Sequence, residues 1–181
     1  MPASQQQNPA TEALVSLSID ALRQGHSLWF RVASGSMSPT LRVGDEVRVE
    51  PAPANTIRIG EIAAFETGEG LVIHRIVQHQ QTGTTIRLLE MCDVHLHPHW
   101  IEADAIVGRV TLVRQGTQKI NLQHPIAQMC GIAAAQLRYW FYCLYTHSRF
   151  NVLRTLFHRS SRLVVFIGYW CIRSCSASLW S

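Results

Sequence analysis

Two serines flank a glycine early in the chain, where residues 33–41 read ASGSMSPTL. A serine nucleophile must be exposed at a sharp turn, with its backbone N–H positioned for a developing oxyanion. Gly35 permits a tight turn, and Pro39 restricts the backbone where the chain leaves it. A serine, glycine and proline cluster by itself more often forms an ordinary turn. The chemistry that the segment suggests is attack by Ser36, with Ser34 as an additional hydroxyl donor to the oxyanion.

Strand-like segments surround this serine turn. Residues 28–33 lead into it, and apolar stretches broken by turn residues predict further strands at 43–49, 57–65, 71–77, 86–90 and 105–114. Short strands with frequent turns and no helical spacers favour an antiparallel sheet or barrel. Apolar spacing over residues 12–23 predicts a short amphipathic helix before the first strand. We therefore expect a mainly β, antiparallel domain with a short N-terminal helix.

The serine segment, Ser-Gly-Ser-Met-x-Pro-Thr-Leu, resembles the nucleophile box of type I signal peptidases, in which the serine before methionine attacks. Four further segments resemble later boxes of that family in the same order: residues 44–49, 57–65, 72–77 and 106–110. The resemblance covers roughly residues 30–115. It implies a signal-peptidase-like β fold, which self-cleaving SOS repressors share, and a serine endopeptidase activity.

The resemblance also implies a base, and here the chain follows one branch of the family. Bacterial members generally use lysine, but the only lysine is Lys119, beyond the last recognisable box. At the base position stands His74, followed by Arg75, as in the endoplasmic-reticulum, archaeal and spore-former branch. An imidazole with an ordinary pKa near 6.5 is largely neutral at pH 7 and can accept the serine proton. A lone histidine on a strand is more often structural, but beside this serine box we expect His74 to be the general base.

The acid that orients the base is where the sequence departs from the family. The region that resembles the acidic box reads EMCDVHLHPHW over residues 90–100. Asp93 matches the first acid, whereas the second acid has no counterpart, and His99 or a deletion stands in its place. The resemblance therefore implies Asp93 as the residue that orients His74, with Asp104 or Glu102 as alternatives.

The same stretch contains side chains of the metal-ligating type, Cys92, His95, His97 and His99. Alternate residues of a strand share a face, which suits ligation. Pro98 interrupts that alternation, however, and no second ligand pair of standard spacing follows. We expect a histidine-rich loop near the active site and no metal, and the proposed hydrolysis requires no cofactor.

Charge is unevenly distributed along the chain. Residues 1–104 carry about −5, and residues 105–181, which follow the last acid, Asp104, carry about +9. A basic segment of this kind suits a polyanion or an anionic membrane surface. Its arginines lie among many aromatic and aliphatic residues, which favours the membrane, and nucleic acid is not expected.

Residues 126–145 contain Arg138 as their only charge and lie at the lower limit of membrane-spanning length. Gln128, Gln136 and Arg138 count against a clean span. We expect helices within residues 126–172 that lie on or dip into a membrane. The protein would then be associated with a membrane. The sequence does not fix which side of the membrane it occupies, but the arginines favour the cytoplasmic face.

These observations divide the chain into a loose leader (1–10), a protease domain (11–120) and a C-terminal helical, apolar and basic extension (121–181). The favoured function is a serine endopeptidase that cuts a precursor polypeptide after small residues, as the resemblance implies. Two other hypotheses stay open. One is a catalytically inactive relative that binds peptides or a membrane partner, since the second acid is missing. The other is a self-cleaving regulator, which the absent lysine and the short segment before Ser36 disfavour.

Overall fold

The computed structural model describes residues 9–147, and its elements follow from alternating apolar segments separated by turns. A helix begins and ends the described chain, with eight strands between them. The elements are α1 (Pro9–Arg23), β1 (Leu28–Arg31), β2 (Glu46–Glu50), β3 (Ile62–Thr67), β4 (Gly70–Thr82), β5 (Thr85–Met91), β6 (His99–Glu102), β7 (Ile106–Gln115), β8 (Gln118–Asn121) and α2 (Pro125–His147). Most of the predicted leader, residues 1–8, lies outside the described residues, as do residues 148–181.

The strands form one antiparallel sheet in the order β1-β2-β7-β3-β4-β5-β6, with β8 paired to β7. The expected mainly β architecture with a helix at each end is confirmed. The sequence prediction did not include β6 or β8. Strand β8 was missed because it is short and polar apart from Ile120. Gly116, at φ +59°, permits the tight turn that folds β8 back onto β7.

Alternation along β4 divides the core between the two faces of the sheet. Ile73 and its neighbours on that face pack with a cluster that includes Ile19 and Leu22 of α1. On the opposite face, Ile76 packs with a second cluster, which includes Phe65. The strand that carries His74 is therefore fixed from both sides, and its side-chain directions are set by the pleat.

Helix α2 packs against β4 through one face, where Ala134, Ala135, Arg138 and Phe141 are buried. The helix approaches the turn before β3 so closely that a Cβ at Gly60 would lie 2.5 Å from the carbonyl carbon of Gly131. Residues 125–147 thus pack on the β sheet, and Arg138, which counted against a membrane span, is fully buried in the protein. Within residues 9–147, no helix combines the length and the apolarity needed to cross a membrane. Residues 148–172 of the predicted membrane segment fall outside the described part.

Candidate active site

Ser36 lies in the turn that follows β1. The turn is closed by the Ser38 N–H, which donates to the Gly35 carbonyl at 3.0 Å, and by the Leu41 N–H, which donates to the Met37 carbonyl at 2.9 Å. The Met37 and Leu41 side chains are buried in the core. Their packing in the core holds the turn in place. Ser36 itself is only partly buried and presents its hydroxyl at the surface.

His74 of β4 faces this serine. Its Nε2 atom lies 3.3 Å from Ser36 Oγ, although the two residues are 38 positions apart in sequence. The imidazole is largely covered, with 19% of the side chain exposed, and its edge packs against Phe65 with the ring centroids 6.0 Å apart. The structure therefore brings the predicted nucleophile and the predicted base together.

Glu90 of β5 occupies the other side of the imidazole, where the sequence analysis did not place it. Its Oε2 atom lies 2.7 Å from His74 Nδ1, and the carboxylate is 6% exposed. Glu90 pairs with Ile76, two residues along β4 from His74, so the pleat brings Glu90 to the face that carries His74. A carboxylate only accepts hydrogen bonds, so the His74 tautomer with its proton on Nδ1 fits this contact and turns an accepting Nε2 toward Ser36.

Asp93, which the sequence analysis assigned to orient His74, lies elsewhere. Its carboxylate is fully buried and accepts hydrogen bonds from Arg75 at 2.8 and 3.0 Å and from the Thr40 hydroxyl at 2.6 Å. Burial alone would raise the pKa of Asp93, but Arg75, Arg138 and Thr40 together hold it below its usual value. The expected contact between Asp93 and His74 is therefore wrong, because Arg75 and His74 project from opposite faces of β4 and Asp93 pairs with Arg75. The carboxylate that contacts His74 is that of Glu90.

The two alternative acids also do not contact the base. Glu102 of β6 pairs with Arg87 at 2.6 Å, and both side chains are about half exposed. Asp104 lies in the short 3-10 turn Ala103–Ala105 that precedes β7. Among the described residues, Glu90 is the acid that contacts His74.

Ser34 lies beside the nucleophile, with its Oγ atom 3.2 Å from Ser36 Oγ. The Ser34 hydroxyl is exposed and can rotate toward a substrate carbonyl. This position agrees with the predicted contribution of Ser34 to an oxyanion site, which stays a prediction.

An open cleft of about 460 Å³ adjoins Ser36 and His74. The residues that line it are mainly apolar and come from α1, β1, the serine turn and β4; they include Val15, Phe30, Val32, Met37 and Ile73. A cleft of this size lies in the range of ligand sites. Its walls are mainly apolar, and Ser36 and His74 lie at its lining.

The chain is similar to a known protein family over most of its length. A family model described as Peptidase S24-like matches residues 1–111, which is more than half of the chain. The chain belongs to the Peptidase S24-like family. A comparison with curated proteins gives no match.

Membership in the Peptidase S24-like family confirms the expected relationship to the fold that signal peptidases share with self-cleaving repressors. The family includes serine peptidases, and it also includes self-cleaving and inactive proteins. The matched residues contain α1, the serine turn and the strands that carry His74 and Glu90. Helix α2 lies beyond them.

Two of the four side chains considered as metal ligands have other contacts in this member of the Peptidase S24-like family. The Sγ atom of Cys92 accepts a hydrogen bond from the His95 N–H at 3.3 Å, and His99 Nδ1 lies 3.1 Å from Glu90 Oε1. No group of three or more ligating side chains that could hold a metal ion occurs within residues 9–147.

Glu90 had two signals in the sequence that point to it. It is a lone acid in the apolar run Leu88–Leu89–Glu90–Met91, and a buried charge in such a run is unusual unless it is paired. Gly83, at φ +60°, marks the turn between β4 and β5, and antiparallel pairing across this turn brings Glu90 close to His74. The β-bulge between Ile76 and Gln78 shifts the pairing of β4 with β5 by one residue. The register of these two strands therefore could not be predicted from the sequence.

Proposed function

We propose that the protein is a serine endopeptidase in which Ser36 is the nucleophile, His74 the general base and Glu90 the residue that orients the base. The observation that supports this most directly is the unbroken series of contacts from Ser36 Oγ to His74 Nε2 and from His74 Nδ1 to Glu90 Oε2. Nucleophile, base and orienting acid are recognised by such geometry and not by sequence position.

The reaction follows from the arrangement. Ser36 Oγ attacks the carbonyl carbon of the scissile bond while its proton passes to His74 Nε2. Glu90 stabilises the imidazolium that forms, and the Ser36 N–H and the Ser34 hydroxyl donate to the oxyanion. The tetrahedral intermediate then collapses, the C–N bond breaks, and the leaving amine takes the proton from His74. A water molecule, deprotonated by His74, then attacks the carbonyl carbon of the ester on Ser36. The C–O bond to Ser36 breaks, Ser36 Oγ takes the proton back from His74, and the carboxylic acid product leaves.

The substrate that we propose is a precursor polypeptide with small side chains near the cut. This rests on the resemblance of the serine and histidine boxes to those of signal peptidases. The apolar cleft beside Ser36 supports an extended peptide as the ligand. Hydrolysis by this set of side chains involves no cofactor.

The decisive experiment is cleavage of an Ala-x-Ala precursor peptide by the purified full chain, with and without detergent. We expect Ser36→Ala and His74→Ala each to lower kcat/KM roughly 10⁴-fold or more. Ser38→Ala and His79→Ala are matched controls, because both residues are exposed and lie near the two replaced ones in sequence. Wild-type protein that binds these peptides but never cleaves them would favour an inactive, peptide-binding relative.

Self-cleavage is the second candidate function, and the Peptidase S24-like match favours keeping it. Incubation of the purified chain alone separates the two functions. Intramolecular self-cleavage gives two fragments at a rate that is independent of protein concentration and is abolished by Ser36→Ala. A chain that stays intact while it cuts the peptide acts on other proteins.

A further inference from the structure

Arg138 of α2 is fully buried, although it lies in the segment that the sequence analysis separated from the protease domain. Its Nη2 atom donates to two backbone carbonyls of the loop between β5 and β6, to Cys92 O at 2.7 Å and to His95 O at 2.8 Å. A single guanidinium nitrogen therefore bridges the two ends of a four-residue turn. Hydrogen bonds from a charged donor are stronger than neutral ones, and the bond to Cys92 O is buried.

The turn that Arg138 bridges reaches the nucleophile. The Val94 N–H, in the middle of the turn, donates to the Ser36 carbonyl at 3.1 Å. That bond fixes the peptide group between Ser36 and Met37, and with it the ψ angle of Ser36. The direction in which Ser36 Oγ points depends on the backbone held in this way. The Cys92 Sγ contact with the His95 N–H closes the same turn from the inside.

Charge balance gives Arg138 a second link to this turn. Asp93, between the two bridged carbonyls in sequence, is fully buried and pairs with Arg75. The positive charge of Arg138 also lowers the pKa of Asp93 and so favours its ionised form. Replacing Arg138 by an uncharged residue would weaken both the carbonyl bridge and the charge environment of the turn.

We propose that Arg138 is a positioning residue for the Ser36 nucleophile, acting through the turn from Cys92 to His95 and its Val94 N–H. The proposal rests on the proposed peptidase function for its kinetic test. It makes α2, which lies beyond the residues matched by the family model, a required part of the active site. A small displacement of a reacting group by a distant substitution can cost about 100-fold in rate.

The test compares Arg138→Met and Arg138→Lys with Arg87→Met, a control that removes a half-exposed arginine from a surface ion pair. We expect Arg138→Met to lower kcat roughly 10- to 100-fold while KM changes less than about twofold, because the peptide cleft is untouched. Arg138→Lys keeps a charged donor and should recover part of the loss. If Arg138→Met does not fold, Arg138→Lys is compared with the wild type instead. We expect Arg138→Lys to have a lower kcat than the wild type and a nearly unchanged melting temperature.

Amide hydrogen exchange of Val94, measured by NMR, tests the same proposal without catalysis. Exchange at Val94 should accelerate on the order of tenfold or more in the folded Arg138 variants, while Leu122, whose N–H donates to Thr111 O, serves as an unaffected reference. An inactive wild-type protein would refute the proposed function, yet Val94 exchange would still decide the positioning. A folded Arg138 variant with wild-type kcat, or one with unchanged Val94 exchange, would overturn the proposal.

Discussion

Glu90 Oε2 lies 2.7 Å from Nδ1 of His74, so the predicted base contacts a carboxylate other than the expected Asp93. If Glu90 orients the imidazole, Glu90→Gln keeps the shape of the side chain but removes the charge that stabilises the imidazolium. We expect kcat to fall about 10³- to 10⁴-fold, as when the acid of such a set is neutralised. Steady-state kinetics on the precursor peptide measures this. Glu102→Gln, on the neighbouring strand, is the control, and equal activity of the two variants would contradict the assignment.

Ser34 provides a second kinetic prediction, since its hydroxyl lies 3.2 Å from Ser36 Oγ. Loss of one donor from an oxyanion site typically costs 10²- to 10³-fold in kcat, and we expect Ser34→Ala to fall near that range. The matched control is Ser38→Ala, which removes an exposed hydroxyl from the same turn. A Ser34→Ala enzyme with wild-type kcat would show that the backbone N–H of Ser36 acts without this hydroxyl.

The buried carboxylate of Asp93 should make the free energy of unfolding depend on pH. Its pKa is lowered on folding from a usual value of 3.8, so the unfolded chain binds the proton more readily than the folded one. The stabilisation by Asp93 is therefore complete above about pH 4 and is lost as the pH falls toward the lower, folded-state pKa.

Asp93→Asn leaves Arg75 without its buried partner and should cost about 3–5 kcal/mol at pH 7. Below pH 4 the difference between the variant and the wild type should shrink. Urea unfolding at pH 7 and pH 3 measures both effects, with Asp20→Asn on the exposed side of α1 as the control. A difference between the proteins that is constant with pH would rule out the ionised carboxylate as the cause.

The packing of α2 against the turn at Gly60 can be tested by comparing alanine substitutions at Gly60 and Gly44. Both have a φ near +92°, so alanine strains the backbone equally at either position. A Cβ at Gly44 meets nothing within 4 Å, whereas a Cβ at Gly60 meets the backbone of Gly131 and Ile132. We expect Gly60→Ala to lower the free energy of unfolding by about 1–3 kcal/mol more than Gly44→Ala does. Equal losses would mean that α2 does not depend on this close approach.

Membrane association stays a prediction, and the structure suggests which residues carry it. Five large apolar side chains on the outer face of α2 are exposed: Ile126, Met129, Ile132, Leu137 and Trp140. We propose that this face, together with the arginines that follow it in the sequence, binds an anionic bilayer.

Flotation with phosphatidylserine-containing vesicles tests the membrane prediction. We expect the wild type to bind these vesicles better than neutral ones, and Met129→Glu with Trp140→Glu to reduce binding strongly. Leu17→Glu on the exposed face of α1 is the control. Vesicle binding that is absent in the wild type, or unchanged in the double variant, would contradict the prediction.

Local patterns in the sequence were sufficient for several features of the protein. The Ser-Gly-Ser segment predicted a turn around Ser36, because Gly35 permits a tight turn and Pro39 restricts the backbone after it. Alternating apolar residues separated by glycines predicted the antiparallel sheet, and the family resemblance selected His74 among nine histidines. These features depend on neighbouring residues or on motifs, both of which can be read along the chain.

The contact between Glu90 and His74 and the position of α2 were decided by tertiary structure. Glu90 reaches His74 only because β4 and β5 pair in one particular register, and a bulge shifts that register by one residue. Arg138 looked like a charge in an apolar segment, but packing buries it against the carbonyls of Cys92 and His95. Register and helix docking are set by the summed free energy of many distant contacts, which no local spacing records.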